Sequence, residues 1–167
     1  MSTESIRDAL LMLGEEDHFN IITFASTASK MSDSMLPATL QNIEKSFKYL
    51  RKFNPRSTKQ NLGTDLLGAI DLSLQFNPSV IVLVTDGLPT PGRVQSRQIE
   101  TDPDKIIKAV EAKNVNHASI YVVGLEMTLR ESPGASLLIA LAKHNNGRAK
   151  LIGGKELVKY LYHSSGN

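Results

Sequence analysis

The sequence predicts an α/β protein, a doubly wound and mostly parallel sheet flanked by helices. Three observations carry that reading. Short runs rich in β-branched residues alternate with segments whose apolar residues recur at helical spacing. Two of the runs, Val80–Val84 and Ile120–Val123, are continuously apolar, the pattern of strands covered on both faces. The first run ends in Thr85-Asp86-Gly87 and so delivers one carboxylate to a strand end. Ligands of open α/β sheets bind at such ends.

The elements follow in order. Ser2 to Leu13 reads as a helix with Ile6, Leu10 and Leu13 on one face, Ser2 or Thr3 as cap and Gly14 as stop. Phe19 to Ala25 is a strand by its β-branched and aromatic content. Ser26 to Met35 has room for a short edge strand. A helix follows Pro37 with Leu40, Ile43, Phe47 and Leu50 on its stripe, and 54–63 is a polar loop. A helix from Thr64 to Leu74 turns Leu67, Ile70 and Leu74 inward. After the fully buried Val80 strand comes a Pro- and Gly-rich loop, Leu88 to Thr101. Asp102-Pro103, a cap and then a first-turn proline, starts a helix to Lys113. Ala118 to Leu125 is a second buried strand, Ala135 to Lys143 a helix stopped by Asn145-Asn146-Gly147, and Arg148 to Ile152 a last strand. Lys155 to Tyr162 closes the chain as a helix. No linker or internal repeat divides residues 1–167, so one domain is expected.

Composition bounds the function. The 41% apolar and 22% charged content is that of an ordinary globular domain. Nineteen basic and 17 acidic residues leave a net charge of +2, which names no polyanionic partner. With no cysteine, disulfides and Cys-ligated zinc are excluded and the compartment stays open. No apolar run approaches the ~20 residues of a membrane span. The first residues lack the basic and apolar regions of a signal peptide.

Several segments resemble the von Willebrand factor type A domain, in that family's order. Asp17-His18-Phe19-Asn20-Ile21-Ile22-Thr23-Phe24 is similar to its second strand, D-x-F-x-(I/V)-(I/V)-x-F. Leu62-Gly63-Thr64-Asp65 is similar to its G-G-T-(N/D) turn, Val80–Gly87 to its T-D-G strand, and Ile120–Gly124 to its fifth strand. The resemblance covers nearly the whole chain and implies a protein-binding, non-enzymatic module for adhesion or assembly. It also implies a metal-ion-dependent adhesion site, built from a D-x-S-x-S turn, a Thr of the G-T turn and the Asp of T-D-G. Thr64 and Asp86 match the last two, with Asp65 and Gly87 beside them as possible outer contacts. The D-x-S-x-S turn has no counterpart, because the chain begins at Met1 and goes directly into the first helix.

The resemblance therefore implies an amino-terminally truncated domain lacking its first, central strand. One hydroxyl and one carboxylate are too few oxygens for Mg²⁺, which wants about six, so Mg²⁺ (or Mn²⁺ or Ca²⁺) is expected to bind weakly or not at all. In an intact site a partner's carboxylate would complete the coordination. For Thr64 helix capping is the competing reading, and for Asp65 a favourable place in the helix dipole. An absent central strand leaves a slot with unpaired backbone groups. An upstream segment of a larger parent protein, a swapped strand from a second copy, or a partner's strand would fill it.

Other signals carry less. Lys45, Lys48, Arg51, Lys52, Arg56 and Lys59 form a basic cluster that suits an anionic partner, though a solvated helix face explains it as well. No nucleic acid is expected. The four histidines lack metal-ligand spacing. There is no G-x-S-x-G elbow and neither glycine-rich phosphate loop. A phosphatase-type nucleophile would want a second Asp where Leu88 stands, so a phosphate-handling enzyme is the weakest alternative. A metal-independent structural or assembly subunit of the same fold is the stronger one.

Overall fold

The computed structural model describes residues 3–53, 63–86, 88–91, 98–125, 127 and 135–153. Twelve elements lie among them. They are α1 (Thr3–Leu11), β1 (His18–Phe19), β2 (Ile22–Phe24), β3 (Ala28–Lys30), β4 (Leu36–Pro37), α2 (Leu40–Lys52) and α3 (Leu66–Leu74). Then follow β5 (Val80–Thr85), α4 (Pro103–Lys113), β6 (Ser119–Leu125), α5 (Ala135–His144) and β7 (Ala149–Ile152). The helix expected over Lys155–Tyr162 lies outside the described residues.

The carboxyl-terminal half is a parallel β5-β6-β7 sheet with helical crossovers, as expected. Val80 pairs with Ser119 and Val122 with Ala149. Helices α3, α4 and α5 share one apolar cluster with this sheet. Leu66, Ile70, Ile106, Val110, Leu138 and Leu141 are buried together with Ile81, Leu83, Ile120 and Val122. Alternation along β5 then puts Val80 and Val82 on the other face, where they are 51% and 61% exposed. Tyr121 lies beside Val82 in register and is also exposed. This corrects the expectation of a fully buried strand. The continuous apolar run supports parallel pairing, but among the described residues only one face carries helices.

Two buried asparagines tie the turns of this half together. The Asn114 side chain accepts from Ala118 N–H (2.8 Å) and donates to Ala118 O (2.8 Å) and to Asn145 Oδ1 (2.9 Å). Asn145 donates to Leu141 O (2.8 Å), and its own carbonyl accepts from Ile120 N–H (3.0 Å). Buried amides fully engaged in this way specify where two helices stop. Asn146 then takes a left-handed φ of 54°, and Gly147 passes so close to β6 that a Cβ would lie 1.8 Å from Ile120 O.

The amino-terminal half differs from the sequence reading. The expected Phe19–Ala25 strand is split into β1, paired with β4, and β2, paired with β3, both antiparallel. The break is Asn20. Its side-chain oxygen accepts from Ile21 N–H (2.8 Å) and Ser32 N–H (3.2 Å), and its amide donates to Ser32 O (2.9 Å). The side chain thus takes bonding positions that a continuous ladder would give to backbone. A strand inside 26–35 does form, as β3, whereas β4 was not expected. Helix α2 begins after Thr39, whose hydroxyl caps Asn42 N–H (3.3 Å). Ile43 is buried and Phe47 packs beside it, but Leu40, expected on the same stripe, is 71% exposed and outside the cluster. With Phe19 and Ala38, and with Leu10 and Leu13 of the α1 region, they form a second, smaller apolar cluster.

Gly147→Ala should destabilise the protein by about 3 kcal/mol, since backbone oxygen cannot give way to the added methyl. Gly14→Ala, where the nearest atom would be 3.6 Å away, should stay within about 0.5 kcal/mol. Urea unfolding of the two variants beside the parent chain checks both.

Candidate functional site at the strand-end rim

The site is built where β2, β5 and the start of α3 meet. β5 ends at Thr85, and Asp86 follows it exposed at the rim. Thr64 is brought to the same rim by its backbone. Thr64 N–H donates to Thr90 O (3.1 Å) and Thr90 N–H to Thr64 O (3.4 Å), an isolated antiparallel bridge. Thr90 comes four residues after Asp86, so this bridge holds the loop leaving β5 against the entry to α3. Next along, Asp65 N–H donates to Ala25 O at the end of β2 (2.7 Å). Gly63, at φ 89°, sits in the left-handed region that leads the chain into this turn.

The side chains divide by task. Asp65 is buried, and its carboxylate accepts from Gly68 N–H (2.8 Å), which makes it the N-cap of α3. This corrects the two capping readings. The cap is Asp65 and not Thr64, and α3 begins at Leu66 and not Thr64. The sequence placed a hydroxyl and a carboxylate side by side, and only the turn decides which of them bends back over the helix. A Cβ on Gly68 would lie 2.4 Å from the Asp65 carboxylate, so the cap also requires glycine there.

By contrast, the Thr64 hydroxyl and the Asp86 carboxylate hydrogen-bond to no other group among the described residues. Both remain uncommitted among the described residues. In kind they suit a hard cation, and in number they fall short of its six to eight ligands. Among the described residues, no three His, Cys, Asp or Glu side chains gather to hold a metal. Gly87 lies outside the described residues.

The basic cluster is partly placed. Lys45, Lys48, Arg51 and Lys52 stand exposed along α2, and Lys45 and Lys48 line a shallow depression with Gln41, Asn42 and Glu44. Arg56 and Lys59 lie outside the described residues. Thr90 is the rim residue the sequence reading missed. It was hidden in a Pro- and Gly-rich loop, and its contribution is backbone, which carries no side-chain signature.

With this geometry in hand, the relatives are informative. No family model matches the chain. It is 27% identical over 159 residues to inter-alpha-trypsin inhibitor heavy chain H1 of Mesocricetus auratus, covering 87% of this chain and 16% of the relative. It is 26% identical over 164 residues to human heavy chain H2, covering 93% and 16%. The chain thus spans about one sixth of the length of the curated relatives it matches. A solved structure, an aerotolerance-related membrane protein from Bacteroides fragilis carrying multiple mutations to serines, superposes with a TM-score of 0.60 at 16% identity. It covers 96% of this chain and 84% of its own. The chain is von Willebrand A-like. The heavy-chain relatives are named for an inhibitor rather than for a catalysed reaction, in keeping with the expectation of a non-enzyme. No helix of the described residues is long and apolar enough to cross a membrane.

Two substitutions separate the tasks at the rim. Asp65→Ala should cost about 1–2 kcal/mol through the lost cap, and Asp65→Asn only a few tenths, because asparagine caps as well. Thr64→Ala should change stability by less than about 0.5 kcal/mol, since its contribution here is backbone. Thermal or urea unfolding of the three variants reads the order.

Proposed function

We propose that this von Willebrand A-like chain is a protein-binding module whose binding face is the rim carrying Thr64 and Asp86. The observation that carries the reading is the Thr64–Thr90 bridge. It brings the start of α3 to the end of β5, where the Thr64 hydroxyl and the Asp86 carboxylate bond to no other described group while Asp65 caps the helix. In this reading Thr64 would offer a neutral hydroxyl and Asp86 a single negative charge to Mg²⁺ or Mn²⁺. A bound cation supplies a positive point for a carboxylate of the protein partner. Thr64 and Asp86 would supply only part of the oxygens such a cation needs. Binding is therefore weak until further oxygens arrive from water, from the partner or from additional polypeptide.

A second reading has support of its own. In it the chain is a structural or assembly subunit that works without metal. The exposed basic face of α2, Lys45 to Lys52, would be its natural contact for an acidic partner.

Calorimetric titration with MgCl₂ and with MnCl₂ separates the two. The partial site predicts a Kd of about 1 mM or weaker, lost in Asp86→Ala and weakened in Thr64→Ala. Binding tighter than about 10 µM would show a complete site and sink the partial one. No heat at any concentration, with Asp86→Ala indistinguishable from the parent, favours the metal-independent subunit.

A further inference from the structure

Helix α5 ends in an Asn-Gly pair, and the turn that ends it governs how that pair reacts. Asn146 takes the left-handed place after the helix, at φ 54°, and the Gly147 N–H reaches back to Ala142 O (2.9 Å). This is the long hydrogen bond of a Schellman turn. The chain on either side is pinned to β6. Ile120 N–H bonds to Asn145 O (3.0 Å) and Val122 N–H to Arg148 O (2.9 Å). The Asn145 side chain is held in turn by Asn114 (2.9 Å) and by Leu141 O (2.8 Å). Asn146 and Gly147 alone span the two anchors. That span has no slack, because a Cβ on Gly147 would meet Ile120 O at 1.8 Å.

Within the turn, one partner of the pair is free and the other is held. The Asn146 side chain is exposed and hydrogen-bonds to no other described group, so its amide carbon is open to attack. The nucleophile next to it along the chain is the Gly147 backbone nitrogen, which glycine leaves unhindered. Attack consumes the proton that Ala142 O accepts. Ring closure and the Schellman bond therefore exclude each other.

We infer that Asn146 is a deamidation site that the folded turn guards and that reacts only when the α5–β7 turn opens. In the opened turn the Gly147 nitrogen loses its proton and bonds to Asn146 Cγ. The Cγ–Nδ2 bond breaks, and the side-chain nitrogen leaves as ammonia. The succinimide so formed takes up water. Breaking its N–Cγ bond gives aspartate, and breaking its N–C bond to the former main-chain carbonyl gives isoaspartate. Water enters and ammonia leaves, with no change of oxidation state. The isoaspartate form does not refit the turn. Its main chain runs through Cβ and Cγ and is longer by one carbon, between anchors at Asn145 and Arg148 that leave no slack. Position 146 thus keeps an irreversible record that the turn has opened.

The test is incubation of the whole chain in mildly alkaline buffer, with peptide mapping for isoaspartate at position 146. A synthetic Leu141–Leu151 peptide and the whole chain in concentrated urea run beside it. The folded chain should convert ~100-fold more slowly than the peptide, because opening precedes attack. In urea it should match the peptide. Asn114→Ala removes side-chain bonds that hold Asn145 and leaves the Asn146-Gly147 pair untouched, so it should speed conversion of the folded chain about tenfold. If that variant does not fold, the ratio of folded chain to peptide still decides. In the purified isoaspartate form the Ile120 and Val122 amides should exchange hydrogen faster than in the parent. Equal rates in folded chain and peptide would overturn the guard. So would an unchanged rate in Asn114→Ala shown to be folded by circular dichroism. No isoaspartate in urea while the peptide converts would remove the site itself. Parent-like protection of Ile120 and Val122 in the isoaspartate form would show that the turn closes again, and would overturn the irreversible record.

Discussion

The turn at Asp65 holds the two halves of this molecule in one arrangement. Its carboxylate starts α3, its N–H ties that start to the end of β2, and the preceding Thr64 is bridged to the loop beyond β5. Four hydrogen bonds from two residues thus join a hairpin, a helix and a parallel sheet that share no strand pairing among the described residues. With the Asp65 carboxylate capping the helix, the Thr64 hydroxyl and the exposed Asp86 carboxylate bond to no other group among the described residues. The chemistry of the rim follows from what the fold consumes there.

The same economy explains the carboxyl-terminal half. Three helices share one face of β5-β6-β7, and the Asn114–Asn145 pair fixes where α4 and α5 stop relative to β6. Each amide bonds a backbone group of the turn it closes, so the helices cannot slide without breaking buried hydrogen bonds. Packing of this kind is rigid on one side. The other side keeps Val80, Val82 and Tyr121 in contact with solvent among the described residues.

Much of this was legible beforehand. Helical spacing located α4 and α5 nearly to the residue and α3 within two residues of its start, and the apolar β-branched runs located β5, β6 and β7. The cap-then-proline pair Asp102-Pro103 did start α4, with Asp102 accepting from Asp104 and Lys105 N–H. The amino-terminal half was harder. Strands of two or three residues, β1 to β4, are shorter than the period that would reveal them. The interruption at Asn20 is a side chain bonding to backbone, which composition does not distinguish from an exposed polar residue.

By itself, the sequence determined the alternation of strands and helices, the parallel character of the Val80 and Ile120 strands, and the delivery of one carboxylate to a strand end. Those depend on local period and on chain chirality, which neighbouring residues fully specify. Only the tertiary structure decided which of two adjacent oxygen-bearing residues caps α3, that Thr90 closes the rim, and that β5 is exposed on one face. Each of these depends on a partner far along the chain. A residue's pattern shows that it wants burial or a hydrogen bond, and only the assembled fold shows whether a partner is there to provide it.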